Sequence, residues 1–337
     1  MLNRRDFLKS AAGAAALGGV AGCRPGGGAS PAQTPGRVFI GSAASYDADL
    51  SAIISAGLQA FPDFDVQGKT VLLKPNLVET TTSDRPINTH PAVIVAAAES
   101  LRRAGARAVI VGDGPGHRRD AELVLAQSGL GRALHEARLP FVDLNHDEVV
   151  PVANLGSQTR LKTLYFPRTV LAADVVVSLA KLKTHHWAGV TLSLKNCFGL
   201  MPGLVYGWPK NILHWEGIEH SIVDIVSTIK PQFGIVDGVI GMEGDGPLMG
   251  SAKPVGVIAL GDRLASLDAT CAALMGLRPE RIGYIQWLAE RGFGAGVASA
   301  IEQRGERLAR FRTPFAVLPQ FASLCDAAQP ALGNTSD

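Results

Sequence analysis

Apolar positions along this chain follow two alternating rhythms. Short runs of β-branched and large aliphatic residues at 37–41, 70–73, 108–111, 141–144, 175–179, 233–236 and 255–260 predict strands. Several are apolar without a break, as in Val71-Leu72-Leu73 and Val175-Val176-Val177, which suits strands covered on both faces. Between them, 49–60, 91–104, 120–128, 219–230 and 265–275 have helical spacing. Ile218, Ile222, Ile225, Val226 and Ile229 form one such buried stripe. The alternation predicts an α/β fold, with a mostly parallel central sheet and helices on both faces. No internal repeat and no second linker after Gly36 divides it, so a single large domain is expected.

The first 36 residues break the pattern. Arg4-Arg5-Asp6-Phe7-Leu8-Lys9 leads into a weakly apolar Ala/Gly stretch, which resembles a twin-arginine export signal over residues 1–22. Val20-Ala21-Gly22-Cys23 resembles a lipobox, making Cys23 a lipidation site. Residues 23–36 are then a Gly/Pro/Ser-rich linker of about 20 Å root-mean-square span. The expected organisation is signal 1–22, lipidated Cys and linker 23–36, α/β domain 37–312 and C-terminal tail 313–337. The twin-arginine machinery and a membrane surface are the implied partners, and the domain is expected on the periplasmic or cell-surface side.

Composition narrows the function classes. Of 337 residues, 47% are hydrophobic and 18% charged, enough for a large core and too apolar for disorder. No apolar run reaches the roughly 18 residues of a membrane span. The formal charge is +2, and the signal's three basic residues and one acid account for all of it. A nucleic-acid partner, which would need a basic excess, is not expected. Beyond Cys23 only Cys197, Cys271 and Cys325 remain, with no CxxC. That argues against a disulfide framework and against an iron–sulfur cluster, which normally takes four cysteines.

Candidate chemistry sits where the strands end, since ligands of open α/β sheets bind outside the carboxyl ends of the strands. Lys74-Pro75-Asn76, Gly112-Asp113-Gly114-Pro115-Gly116, Lys181-Leu182-Lys183-Thr184-His185-His186 and Asp237 through Pro247 each follow an apolar run. Lys74, Lys181, Lys183 and Lys195 gathered on one rim would repel unless an anion, phosphate or carboxylate, lay among them. Asn76, His90 at a helix start, Gly114 and Asn196 are further candidates for binding the substrate. Asp113, Asp237, Glu243 and Asp245 are candidate ligands for a divalent metal. His185, Glu243 and Asp237 are the candidate catalytic acid–base groups. GDGPG lacks the nucleotide-loop patterns, no GxSxG elbow is present, and Cys197 reads as a packed small residue.

KPN after an early strand, THP at a helix start, GD-x-PG, KLKTH, LKNCFGLMPG and VDGVIGMEGDGP occur in that order. Together, over residues 37–294, they resemble the domain of unknown function 362 family. The resemblance implies that Lys74, Asn76, His90, Asp113, Lys181, Lys183, His185, Lys195, Asn196, Asp237, Glu243 and Asp245 are motif positions, and it assigns no roles. Some relatives carry ferredoxin-type cysteine motifs and are labelled iron–sulfur proteins; this chain has none. The expected function is an exported enzyme acting on a small anionic substrate, with a divalent metal as candidate cofactor. The alternatives are a non-catalytic anion- or cofactor-binding lipoprotein and a redox accessory protein loaded before export.

Overall fold

A computed structural model describes residues 35–116 and 120–326. Eleven strands are present among them: β1 (Arg37–Ser42), β2 (Thr70–Lys74), β3 (Ala108–Asp113), β4 (Phe141–Asp143), β5 (Val149–Ala153), β6 (Thr163–Pro167), β7 (Val175–His185), β8 (Gly189–Thr191), β9 (Phe233–Glu243), β10 (Ser251–Gly261) and β11 (Glu302–Gly305). The main sheet runs β11-β1-β10-β9-β7-β2-β3-β4, with β8 paired to β7. Strands β9, β7, β2, β3 and β4 form a contiguous parallel block. Strand β10 runs against both neighbours. The link from β9 to β10 spans only residues 244–250, too short for a parallel crossover, so that pair must be antiparallel. The expected α/β architecture is present.

Side chains of β7 show why its run is apolar throughout. Val176, Ala180 and Leu182 join one buried cluster, while Val175, Val177 and Leu179 join the other. The first cluster is closed by the helices Ile218–Ile229, Leu264–Leu274 and Gly283–Glu290. The second is closed by Leu50–Gln59, Pro91–Arg103, Ala121–Gln127 and Leu130–Glu136. Alternation in a strand sends successive side chains to opposite faces, so a strand between two helical layers has no polar side.

Two expectations about extent change. Strands β7 and β9 each run 11 residues, far past the ends expected at 179 and 236. Lys181, Lys183, His185, Asp237 and Glu243 therefore lie on strands rather than on loops. Polar side chains hid the continuation because their partners come from other elements. The tail expected from 313 onward packs on the domain as far as 326: Phe315, Val317 and Leu324 are buried, and Thr313 and Phe315 donate to Leu274 O and Met275 O. A two-stranded antiparallel ribbon, β5–β6, was not expected.

Candidate functional site

At the carboxyl end of the parallel block lies a cavity of about 80 Å³, lined by Lys74, Asp113, Lys183, His185, Lys195 and Lys210 among others. At about 10–15 Å³ per water, that is room for a molecule of several heavy atoms. Its charge is lopsided. Four lysines line it, and Asp113 is the one carboxylate among the described lining residues.

Each lysine is held differently. Lys74, the last residue of β2, is buried and spends all three ammonium hydrogens internally. They go to Asp113 Oδ1 (2.7 Å), Asn196 Oδ1 (2.9 Å) and Pro75 O (2.6 Å). Asn196 returns the hold, donating to Lys74 O and Ser178 Oγ. Lys74 and Asn196 thus supply charge and rigidity, with no donor left for a substrate. Lys183 donates to Ile87 O at 2.6 Å. Burial, reinforced by Lys181, Lys195 and Lys74, holds its ammonium well below the usual lysine range. Lys210 reaches Asn145 Oδ1 from a left-handed backbone conformation (φ 71°), and burial pulls it down to about 7 against the attraction of Asp113. Lys195 has no hydrogen-bond partner among the described residues; its Nζ lies 4.1 Å from the centre of the Phe198 ring. Burial, with Lys74 and Lys210 repelling, pulls it down to about 7 as well.

Lys195 is positioned from outside the cavity. It sits on the short helix Ser193–Asn196, and buried Asp268 of Leu264–Leu274 caps that helix's first turn. Asp268 accepts from Ser193 N (2.8 Å), Leu194 N (2.9 Å) and Ser193 Oγ. Burial raises its carboxyl to about 7 despite these donors.

Asp113 accepts from Leu77 N (2.7 Å) and Gly114 N (2.8 Å) besides Lys74, and burial pushes its carboxyl up. The backbone passes so close to this pair that a Cβ at Gly199 would lie 2.2 Å from Asp113 Oδ1 and 2.6 Å from Lys74 Nζ. Gly114 donates to Gly199 O, closing the same wall.

His185, an expected acid–base group, has its tautomer fixed by the backbone. Its Nδ1 accepts from Trp187 N (3.0 Å) and Ala188 N (3.2 Å), so the ring proton belongs on Nε2. Burial, then Lys195, His186, Lys183 and His214, keep it well below the ordinary histidine range and therefore neutral. Two buried oxygens on lining residues, Asn76 Oδ1 and Thr191 Oγ1, have no hydrogen-bond partner among the described residues. Lys210 and His214 were not among the expected site residues. Nothing in Trp208-Pro209-Lys210 marks a functional lysine, and His214 reads as an ordinary surface histidine.

Other expected members lie elsewhere. Lys181 pairs with Asp237 (2.9 Å) and donates to Tyr46 Oη (2.7 Å). Asp237 also accepts from Tyr46 Oη and His90 N. His90 caps the Pro91–Arg103 helix through Nδ1 and stacks on Tyr46 with ring centres 3.7 Å apart. The β7–β9 register shifts between Lys181 and Lys183, with the extra residues on β9. The two lysines, two positions apart on one strand, meet different partners: Asp237 and Tyr46 for Lys181, Ile87 O for Lys183. Glu243 pairs with Lys253 (3.1 Å) and accepts from Ala316 N, while Asp245 sits 3.4 Å from His186. The four acids expected to hold a metal thus occupy separate settings. Among the described residues no group of three or more His, Cys, Asp or Glu side chains is placed to hold a metal ion. Cys197 is buried with its thiol pushed up to about 12, as a packed residue should be. Cys23 lies outside the described residues.

Residues 71–273 match the model of the domain of unknown function DUF362, and residues 1–21 match the twin-arginine translocation signal, which sends the chain across a membrane. The thylakoid-associated protein sll1697 of Synechocystis sp. is 29% identical over 226 residues, covering 65% of this chain and 67% of that protein. Among solved structures, the lactate racemase apoprotein of Thermoanaerobacterium thermosaccharolyticum is similar at TM-score 0.42 and 15% identity, over 72% of this chain and 58% of that one. A Thermotoga maritima protein is similar at TM-score 0.36 and 14% identity, over 74% and 59%. The chain thus spans less than two thirds of the length of either solved structure.

Proposed function

The chain belongs to the DUF362 family, and on that premise we propose that it is an exported enzyme whose lysine-lined cavity binds and transforms a small phosphate- or carboxylate-bearing molecule. One observation carries the reading: four lysines converge where a single described carboxylate, already engaged, opposes them. Buried like charges are stable together only when one loses its proton or an anion joins them. Both answers apply, since Lys195 and Lys210 sit near 7 and take up protons as the anion arrives.

In this reading the anion accepts hydrogen bonds from Lys195, Lys210 and the Nε2–H of His185. Lys74 and Asp113 stay fixed beneath it, and Asn196 keeps Lys74 from swinging upward. An amine near neutral pKa is also suited to proton transfer at physiological pH. Charge that develops on the substrate would meet preorganised donors in a partly enclosed site. Cys23 would carry the lipid that holds the domain at a membrane surface. A binding protein without turnover is the second reading. It is favoured by Asp113, the described lining carboxylate, having its oxygens engaged by Lys74, Leu77 N and Gly114 N and so not free to act as a base.

Calorimetric titration with sulfate and with inorganic phosphate at pH 6.5 tests the cavity. Saturable 1:1 binding is expected, weakened about tenfold by Lys210→Met. Failure of both anions to bind the unaltered protein would overturn the reading.

A further inference from the structure

We propose that Lys195 is a nucleophilic amine that condenses with the carbonyl carbon of a small α-oxo acid bound in the cavity. This rests on the anion-binding reading and names the substrate class within it. Its three lysine neighbours are each tied down: Lys74 by Asp113, Asn196 and Pro75 O, Lys183 by Ile87 O, and Lys210 by Asn145. Lys195 alone among them has no polar partner among the described residues, and the face of Phe198 gives it an apolar wall instead. An amine with no hydrogen bond to break keeps its lone pair available for attack. Its aim is fixed from behind, because Asp268 holds the first turn of Ser193–Asn196 and Asn196 is locked to Lys74. Such rigidity suits a reacting atom better than a surface lysine's freedom.

The surroundings choose the carbonyl compound. A carboxylate adjacent to the carbonyl would sit on Lys210 and the Nε2–H of His185, which places the neighbouring carbon over Lys195. The cavity of about 80 Å³ admits a molecule the size of pyruvate. An amine pulled down to about 7 is roughly half free base at neutral pH, whereas an ordinary lysine near 10.4 is free base in roughly one molecule in a few thousand. Desolvation beside other cations is a known way to activate lysine for this chemistry.

The step balances without an oxidant. The Lys195 lone pair forms a C–N bond as the carbonyl π-pair moves to oxygen. A proton passes from nitrogen to that oxygen, and a second proton lets it leave as water, giving a protonated imine. Water adding back returns amine and oxo acid.

The test is reductive trapping on the full exported protein, with pyruvate and cyanoborohydride at pH 7, followed by peptide mass mapping. The Lys195 peptide should gain pyruvic acid less one oxygen atom, with Lys195 labelled at least about tenfold faster than the half-exposed, Asp65-paired Lys69. Lys195→Arg should lose that adduct, because a guanidinium does not form it at this pH. Saturating sulfate should slow labelling of Lys195 and not of Lys69. That competition needs no variant, and it decides the question if the arginine chain does not fold. Labelling of Lys195 no faster than Lys69, or an adduct on Lys210 instead, would overturn the proposal. Sulfate binding without trapping removes the imine and leaves the anion site standing; no sulfate binding removes both.

Discussion

Two lysine–aspartate pairs lie buried in this sheet, Lys74–Asp113 at the ends of β2 and β3 (2.7 Å) and Lys181–Asp237 within β7 and β9 (2.9 Å). By type, burial and distance they are nearly interchangeable. Their surroundings separate them. Around Lys181–Asp237 the balance closes: Tyr46 donates to Asp237 and accepts from Lys181, His90 supplies a backbone N–H, and its ring stacks on Tyr46. Around Lys74–Asp113 three further lysines approach without a second described carboxylate, and two nearby oxygens have no donor among the described residues. A buried pair with complete partners is architecture. The same pair left with surplus charge and unsatisfied atoms is the floor of a binding site.

The sharpest break of this comparison comes from removing one partner of each pair. Asp113→Asn and Asp237→Asn should each lose about 3–5 kcal/mol in urea unfolding, because each strands a buried ammonium. Lys181→Met should lose a similar amount while leaving the sulfate affinity of the folded protein within about twofold. A tenfold fall in that affinity would erase the distinction between the pairs. Gly199→Ala, which presses a methyl group onto Asp113 and Lys74 alone, should cost about 1–3 kcal/mol by the same measurement. Lys210→Met should invert the pattern of Lys181→Met. Stability should stay within about 1 kcal/mol, since a repelled charge is removed, while sulfate affinity falls about tenfold, or 1.4 kcal/mol.

The mildest discrimination comes from pH. Lys195 and Lys210 titrate near 7 in the folded protein and near 10.4 when unfolded. Between those values the unfolded chain binds more protons, so the empty protein gains stability as pH rises through that window. Sulfate needs charged amines and should bind more weakly at pH 8 than at pH 7, by about fivefold if one of the two must be charged and about thirtyfold if both must. Lys74, Lys183, His185, His214 and Asp113 face the same cavity and set the background. Calorimetry across pH 6 to 8 checks the slope, and a flat profile would mean that neither lysine changes charge on binding.

How much of this was legible in the sequence depends on where each residue's partners lie. The strands, the flanking helices and the strand-end location followed from periodicity, because apolar burial is written along the chain itself. Lys74, Asp113, Lys183 and His185 were found because each follows an apolar run, and Lys195 through the LKNCFGLMPG motif that carries it. Lys181 and Asp237 were grouped with them, whereas the structure ties them to each other, to Tyr46 and to His90 N, partners that nothing local in the sequence announces. Lys210 was missed because its importance comes from Asn145, 65 positions away. Its own neighbours, Pro209 and Asn211, read as a plain turn. The tautomer of His185 was hidden for a related reason: two backbone N–H groups three residues or fewer downstream fix it, and residue type alone does not reveal them.

The position of β1 has a consequence for when the domain becomes complete. This first strand pairs on one side with β10 and on the other with β11, and the segment after β11 latches the β9–β10 hairpin through Ala316 and Phe315. Early residues thus wait, during synthesis, for partners made after position 250. The ribosome must release nearly the whole domain before that edge of the sheet can close. A translocation route that carries folded chains would therefore meet a transportable domain only once its last elements are made. Truncated products, lacking the latch, would be left behind by the same requirement.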